Sequence, residues 1–274
     1  MKGFPLRGLG FIIVSAAVML LTSSCATLSS SGVGRVREYV AESDALPSAF
    51  DGCRIAFISD MHYPSLFTHR RLIRLVEHLR ESAPDLLLLG GDYVTHNDSI
   101  DALFAALGSV ETTYGCYAVL GNHERRNGDA IAVSMERHGV ALLADETVRL
   151  QRDTSSIYLH GVRDSFVVDS LAVPDAPGGS FVLLLAHTPD YAERSCTDAD
   201  IVLSGHTHGG QVSLFGLWTP VKNTVFGNRF LRGRNMTTSG STVITTNGVG
   251  TSRRRVRFCV PSEIVLVTLR SKAH

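Results

Sequence analysis

The sequence predicts an α/β protein in which a two-sheet β-sandwich is flanked by helices. Strand and helix signals alternate through the first half of the chain, whereas the second half is mostly β. With 44% apolar and 19% charged residues, the 274-residue chain can bury a substantial core and lacks the composition of a disordered protein. The formal net charge of +0 gives no indication of nucleic-acid binding.

The first 24 residues are predicted to be a lipoprotein-type signal peptide rather than part of the fold. Lys2 and Arg7 form a positive segment, and the apolar segment 9–21 is too short to span a bilayer comfortably. Small residues precede Cys25, so cleavage there would leave Cys25 at the mature N-terminus, carrying lipid. Thr22 stands where such sites usually have Leu, so an ordinary cleaved signal and an uncleaved anchor stay open. Each alternative sends the domain out of the cytoplasm.

Residues 25–34 are rich in Ser, Thr and Gly and are predicted to form a flexible tether, followed by one domain over 35–274. The remaining cysteines fit no zinc-binding spacing. An exported protein could pair them, but buried free thiols are the simpler interpretation because a core of this size needs no covalent cross-link. These cysteines are Cys53, Cys116, Cys196 and Cys259.

Apolar periodicity predicts the individual elements. In the first half, Leu72, Val76 and Leu79 give one helix an apolar face, Ser99 is predicted to cap the next, and Gly139 ends the third. The three helices are predicted at about 68–82, 100–107 and 130–138. Three buried strands are predicted between them, at 54–59, 86–89 and 116–120. Strands in the second half are predicted at 157–159, 181–186, 201–203, 212–214, 243–246 and 264–269.

Five short polar segments each follow a strand signal directly. They carry carboxylate, amide and imidazole groups, which are suitable ligands for manganese, iron or zinc. Where two such residues stand two positions apart, both side chains would point to one side of a pocket on an extended segment. Glycines before three of the candidate ligands permit tight turns and close backbone approach. The segments are 59–62, 90–92, 121–124, 186–189 and 204–211.

Most of these segments carry little information individually. The Asp60 and His62 pair could belong to an ordinary surface loop, and a Gly-Asp dipeptide such as that at Asp92 is common in turns. His187 alone would more often be a hydrogen-bonded structural histidine, whereas the histidine pair within 204–211 is more specific. All five segments in this order, each at a strand exit, predict a metal site.

These segments resemble the motifs of the calcineurin-like metallophosphoesterase family. The resemblance extends over about residues 35–270 and is strongest to an exported or membrane-associated bacterial branch whose last motif reads Gly-His-Thr-His-Gly-Gly-Gln, as residues 205–211 do here. It implies a centre of two divalent ions, with manganese preferred and zinc or iron as alternatives. The implied metal ligands are Asp60, His62, Asp92, Asn122, His187, His206 and His208.

The resemblance also implies roles within that centre. Asp60, His62 and His208 would bind the first ion, Asp92 would bridge both, and the other three ligands would complete the second. Ions about 3.5–4 Å apart would share a bridging hydroxide that attacks phosphorus. His123 would act at the substrate phosphate, either as acid for the leaving group or as donor to the phosphoryl oxygens.

The sequence departs from the family pattern near His123. Thr95 stands where many relatives have an Asp, which in some orients the motif histidine, so the partner of His123 is open. Tyr63 and Pro64 replace the frequent Leu and Gly, and Glu124 replaces the commoner Asp. None of these changes removes an implied ligand, and they bear on substrate fit more than on metal binding.

The implied activity is hydrolysis of a phosphate ester, with phosphodiesters or pyrophosphates favoured over monoesters. A lipid tether would hold the domain at a membrane of the bacterial envelope, where the substrate could be lipid-linked or amphiphilic. The main alternative is an envelope lipoprotein that binds metals and anionic ligands without turnover. A structural envelope protein that holds anionic polymer on a basic rim is a further alternative.

Late in the chain, basic residues alternate with apolar ones. The basic residues predict either a solvated surface or an anion-binding rim; they are Arg229, Arg232, Arg234, Arg253, Arg254, Arg255 and Arg257. The apolar residues predict ordinary packing or an apolar floor beside Arg229 and Arg232; they are Leu214, Phe215, Leu217, Trp218, Phe226, Phe230 and Leu231.

Overall fold

A computed structural model of the chain describes residues 32–163, 166, 175–195, 197–214 and 218–272. The predicted signal peptide with Cys25, most of the predicted tether, Cys196, Phe215 and Leu217 lie outside the described residues. Among the described residues, no helix is both long and apolar enough to cross a bilayer.

Two six-stranded sheets form the centre of the fold, as the sequence predicts. The first contains β1 (Arg35–Ser43), β2 (Arg54–Ile58), β3 (Leu86–Leu89), β4 (Cys116–Ala118), β5 (Val140–Leu142) and β12 (Glu263–Ser271), in the order β1-β12-β2-β3-β4-β5. The second contains β6 (Glu146–Arg152), β7 (Ser155–Gly161), β8 (Val182–Leu185), β9 (Ile201–Ser204), β10 (Gly233–Met236) and β11 (Thr242–Thr245), in the order β10-β11-β9-β8-β7-β6.

Three helices pack against the outer face of the first sheet: α1 (His69–Glu81), α2 (Ile100–Gly108) and α3 (Gly128–Arg137). Because side chains alternate across a strand, Leu87 and Leu89 of β3 face these helices, whereas Leu86 and Leu88 face the second sheet. The four leucines are all buried, as expected for a parallel strand covered on both sides. A fourth helix, α4 (Asp190–Arg194), packs on the outer face of the second sheet.

The sheets pack face to face through a shared apolar layer. Phe57 and Val267 of the first sheet join Leu159, Leu185 and Leu203 of the second in one buried cluster. In the first sheet β2, β3, β4 and β5 run parallel, and in the second β7, β8, β9 and β11 run parallel. The carboxyl ends of these strands therefore meet along one edge of each sheet, which is where polar loops can converge.

Several details differ from the sequence prediction. Residues 212–214 form no strand and contribute only single bridging pairs, Val212 with Phe258 and Leu214 with Trp218. Ser99 precedes α2 without a side-chain capping bond, because the 3-10 turn Asn97–Ser99 leads directly into the helix. Cys259 is a free, half-buried thiol outside any strand, whereas Cys53 and Cys116 are free and buried as predicted.

Candidate metal centre

The seven candidate ligands lie together where five strands end. Loops after β2, β3 and β4 of the first sheet meet loops after β8 and β9 of the second. Cross-sheet bonds join them: the backbone N–H of His206 donates to Oδ2 of Asp60 at 3.0 Å, and Nδ1–H of His187 donates to the Gly90 carbonyl at 2.6 Å. The ligand candidates brought to this point are Asp60, His62, Asp92, Asn122, His187, His206 and His208.

The first ligand group consists of Asp60, His62, Asp92 and His208, all of which are buried. One potential ligand atom from each lies within 4.8 Å of the others. Nε2 of His208 lies 3.2 Å from Nε2 of His62 and 3.3 Å from Oδ1 of Asp60. Two imidazole nitrogens and a carboxylate oxygen thus face one point, which is the arrangement that a divalent ion requires.

The second ligand group consists of Asp92, His187 and His206, with the Asn122 amide beside them. The Nδ1–H group of His187 donates a hydrogen bond to the Gly90 carbonyl, which turns Nε2 toward the other members of the group. That Nε2 lies 3.3 Å from Oδ1 of Asn122 and 3.5 Å from Oδ1 of Asp92. The imidazole is therefore oriented with Nε2 facing the oxygens of Asn122 and Asp92.

Asp92 belongs to both ligand groups, and its two oxygens face different ones. Oδ2 lies 3.7 Å from Nε2 of His62, whereas Oδ1 lies 3.5 Å from Nε2 of His187. Oδ1 also accepts the backbone N–H of His123 at 3.1 Å, which fixes the carboxylate plane. A carboxylate placed in this way can bridge two cations.

Buried polar atoms in the first group fit a metal ion. Oδ1 of Asp60, which faces Nε2 of His208, is buried and has no hydrogen-bond partner among the described residues. Burial raises the pKa values of Asp60 and Asp92, because their charged forms are desolvated. A bound cation would reverse that penalty, since it stabilises the carboxylate form.

The histidines are held mainly in the neutral form that binds metals. Burial lowers the pKa of His62 and of His206 to about 3, and lowers the pKa of His208 well below its ordinary value. His187 differs: burial lowers its pKa, but the carboxylates of Asp92 and Asp60 raise it more. The two carboxylates therefore attract positive charge to the centre of the site.

The backbone of the site is left-handed at most ligand positions. The φ angles are 59° at Asp60, 52° at His62, 57° at Asp92, 66° at His206 and 52° at His208. The expectation that extended segments direct each ligand pair is therefore wrong, although both pairs do reach the site. Residues other than glycine in this region cost about 1–3 kcal/mol each, and such strain concentrates at functional sites.

Two glycines allow the loops to approach each other, as the sequence predicts. A Cβ on Gly121 would lie 2.3 Å from Oδ1 of Asp92, and a Cβ on Gly205 would lie 2.1 Å from Oγ of Ser59. Both distances are far inside van der Waals contact. Any side chain at either position would push the candidate ligands apart.

Glu124 supports the site in a way that the sequence did not reveal. Its buried carboxylate accepts the backbone N–H groups of Asp92 and Gly121 through Oε2, both at 2.8 Å, and that of Tyr93 through Oε1 at 2.9 Å. It thereby ties the loop after β3 to the loop after β4. The only sequence signal was its place directly after His123, where a shorter Asp is more frequent in the family.

Arg257 corrects the prediction that the late basic residues are solvated or line an anion-binding rim. It is fully buried, and its guanidinium donates to backbone carbonyls. These belong to His208, Asn247, Gly248, Gly250 and Val260. Since the backbone N–H of Gly250 donates to the Asp60 carbonyl, Arg257 fixes the loop under Asp60 together with His208. Burial lowers its pKa to about 10, so the group stays cationic at neutral pH.

The other basic and apolar residues of this region divide between structural roles and the site. Arg229 pairs with Glu193 at 3.0 Å, and Arg232 donates to the Gly209 carbonyl, so neither borders a substrate floor. Phe230 and Leu231 are core residues, which confirms ordinary packing rather than an apolar floor for these two. Arg253 lines the cavity into which the candidate ligands face, which we call the metal cavity.

His123 and Thr95 line the same cavity, whose volume is about 430 Å³. The His123 side chain is 46% exposed, stands edge-on against His62, and places Nε2 at 3.9 Å from Oδ2 of Asp92. The Thr95 hydroxyl instead lies 2.9 Å from Oγ of Ser65 and 3.0 Å from Nδ1 of His96. Among the described carboxylates, Asp92 is thus the one with a contact to the His123 imidazole.

The chain is similar in sequence to known proteins over most of its length. The family model for calcineurin-like phosphoesterases matches residues 53–210, a span that contains all seven candidate ligands. An uncharacterized metallophosphoesterase, YkuE, of Bacillus subtilis is 32% identical over 251 residues, covering 85% of this chain and 85% of the relative. An uncharacterized metallophosphoesterase of Aquifex aeolicus is 29% identical, covering 88% of this chain and 93% of the relative. The phosphodiesterase YaeI of Escherichia coli is 31% identical, covering 72% and 75%.

We predict that Asp92→Asn lowers the metal content of the protein. The substitution removes the charge that both ligand groups share, so the mutual repulsion of two cations would be less compensated. Elemental analysis after dialysis should show fewer manganese ions per chain than in the wild type. Asp101→Asn is the matched control, because Asp101 pairs with Arg137 and His138 on the surface away from the cavity. Equal metal content in Asp92→Asn and the wild type would contradict a bridging role.

Proposed function

The chain belongs to the calcineurin-like phosphoesterase family, and from the geometry of its metal centre we propose that it hydrolyses phosphodiesters or pyrophosphates with two divalent ions. One observation carries the proposal. Asp92 turns one oxygen toward His62 and the other toward His187, so it connects two adjoining groups of potential metal ligands. A site for one ion would not need this shared carboxylate.

The residues divide naturally between two ions. Asp60, His62 and His208 would hold one and Asn122, His187 and His206 the other, with Asp92 on both. When bound, the ions supply Lewis acidity, which lowers the pKa of water toward neutrality and offsets charge on the phosphoryl oxygens. Mixed carboxylate, amide and imidazole ligands without thiolate suit manganese, with zinc or iron as alternatives.

His123 is positioned to act on the substrate rather than on the metals. Its imidazole is half-exposed on the cavity wall, whereas the four histidines among the proposed ligands are more deeply enclosed. Its Nε2 lies 3.9 Å from Oδ2 of Asp92, the carboxylate proposed to lie on both ions. A protonated Nε2 can donate to the departing oxygen or to a phosphoryl oxygen.

The cavity favours substrates with a group on each side of the phosphate. Beyond the proposed ligands it extends to Asn223, Ser252 and Arg253, which leaves room for a second ester or phosphate group. A relative that covers 72% of this chain bears the name phosphodiesterase, which points to the same class. The charged segment, short apolar segment and small residues before Cys25 support export and lipid anchoring in a bacterial envelope.

We predict that metal-depleted protein is inactive and that manganese restores turnover. A panel of p-nitrophenyl mono- and diesters measures this, with zinc and iron compared against manganese. The diesters should show a higher kcat/KM than the monoester, since the cavity accommodates a second ester group. A clearly higher kcat/KM for the monoester would contradict the substrate class, and metal binding without any turnover would favour the non-catalytic alternative.

We predict that His123→Ala keeps both metals but lowers kcat for a diester with an alkoxide leaving group by about 10²–10⁴-fold. The loss should be smaller for p-nitrophenolate, which departs without a proton. Equal losses for both leaving groups would contradict the acid role and assign His123 to the phosphoryl oxygens. Metal loss in His123→Ala would show instead that it is a ligand.

We predict that Cys25→Ala moves the protein out of the membrane fraction or leaves the leader attached. The thiol at position 25 would be the atom that carries lipid, so its loss removes the anchor. Cell fractionation and intact mass measure the two outcomes. Cys259→Ala is the control, because that thiol lies within the folded domain. An unchanged mass and unchanged membrane fraction for Cys25→Ala would contradict lipidation.

A further inference from the structure

We propose that a groove beside the metal cavity binds an apolar chain on the second ester group of the substrate, with Arg253 holding the phosphodiester anion between groove and metals. The proposal rests on the phosphodiesterase function proposed above and narrows its substrate class. The occupant is a short alkyl chain attached through an ester to the phosphate that the metal centre cleaves.

The groove is continuous with the metal cavity. It has a volume of about 230 Å³ and shares four wall residues with the cavity: His208, Asn223, Ser252 and Arg253. One of these, His208, belongs to the first group of proposed metal ligands. A group attached to a phosphate at the metals would therefore enter the groove directly.

The groove adds three apolar side chains to its wall beyond the residues that it shares with the metal cavity. Val212, Pro220 and Val221 line the groove but not the metal cavity, where Leu66 is the one aliphatic side chain among the lining residues described. Val221 is 52% exposed although it is a large apolar residue. An apolar chain covering it would remove this surface from water, which is favourable in proportion to the area buried.

Exposed apolar side chains are concentrated on the segment that forms this wall. Leu214, Trp218, Val221 and Val225 are all exposed, at 46%, 57%, 52% and 79%. Of these four, Val221 lines the groove, so its surface is the one that a bound alkyl chain would cover. The neighbouring cations, Arg253 and Arg254, make this surface complementary to an anion that carries an apolar chain.

Gln211 fixes the opposite wall. Its side-chain carbonyl accepts the backbone N–H of Ser252 at 2.8 Å, and its amide donates to the carbonyls of Ser252 and Arg254 at 3.1 and 3.3 Å. Gln211 itself follows directly on the 3-10 turn His208–Gly210. The Arg253 loop is thus tied to the segment that carries a proposed metal ligand, so the Arg253 backbone is placed relative to the metals before substrate binds.

Arg253 has the position of a phosphate-binding residue. It lines both the metal cavity and the groove, whereas Arg254 lines the groove alone. Among the described residues, neither forms an ion pair with a carboxylate. A guanidinium at the junction can donate two parallel N–H groups to the phosphodiester oxygens.

Two substrates with the same leaving group test the groove: methyl p-nitrophenyl phosphate and hexyl p-nitrophenyl phosphate. Because p-nitrophenolate departs from both, the ratio of their kcat/KM values measures binding of the retained chain. The ratio of hexyl to methyl ester should be about tenfold or more in the manganese-loaded wild type, since each fully buried methylene contributes about fourfold. A ratio near one would overturn the proposal.

Substitutions of wall residues then test whether the alkyl chain of the hexyl ester binds in this groove. Val221→Asp should bring the hexyl-to-methyl ratio close to one, whereas Val225→Asp introduces the same charge on an exposed residue outside the groove wall and should keep the ratio. Arg253→Ala should lower kcat/KM for both esters by about 10- to 100-fold, and Arg254→Ala by much less. A ratio unchanged by Val221→Asp, or equal losses in the two arginine variants, would contradict the assignment.

Calorimetry separates failure of the groove from failure of the proposed function. If the wild type hydrolyses neither ester, the phosphodiesterase activity proposed above fails, and the Kd values of methylphosphonate and hexylphosphonate for the metal-loaded protein still test the groove. Tighter binding of hexylphosphonate that is lost in Val221→Asp would support the groove. Equal affinity for the two phosphonates would overturn it.

Discussion

Two carboxylates, Asp60 and Asp92, are buried where both sheets end, and the rest of the site is arranged around that constraint. Burial alone raises the pKa values of both groups, so an ionised pair needs positive charge close by. The buried guanidinium of Arg257 supplies part of that positive charge, and two divalent ions bound in the cavity would supply the remainder. The family to which the chain belongs is therefore consistent with the local electrostatics.

The same constraint explains why the backbone of the site adopts conformations of unfavourable free energy. Loops from five strands must converge within a few ångströms, and this requires left-handed conformations at Asp60, Asp92 and His208. Glu124 holds one side by accepting three backbone N–H groups, and Arg257 holds the other by donating to loop carbonyls. The strained loops are thus held between two fully buried side chains, Glu124 and Arg257, which position the proposed ligands.

The sequence was sufficient for the parts of the structure that depend on apolar periodicity and motif order. Buried strands such as β3 and amphipathic helices such as α1 follow from local pattern, and the candidate ligands follow from polar residues at strand exits. β1 was missed because its residues are mostly exposed and polar, so its position depends on parallel pairing with β12. The prediction for Arg257 was wrong because a run of basic residues gives no local indication that one of its arginines is buried. The groove required side chains separated along the chain, which only the fold brings together.

The central claim is that the protein holds two metal ions that share Asp92. Anomalous X-ray diffraction from crystals of the manganese-loaded protein measures this most directly. We expect two anomalous peaks about 3.5–4 Å apart, one beside His62 and His208 and the other beside His187 and His206, with Asp92 in contact with both. A single peak, or peaks away from these side chains, would contradict it.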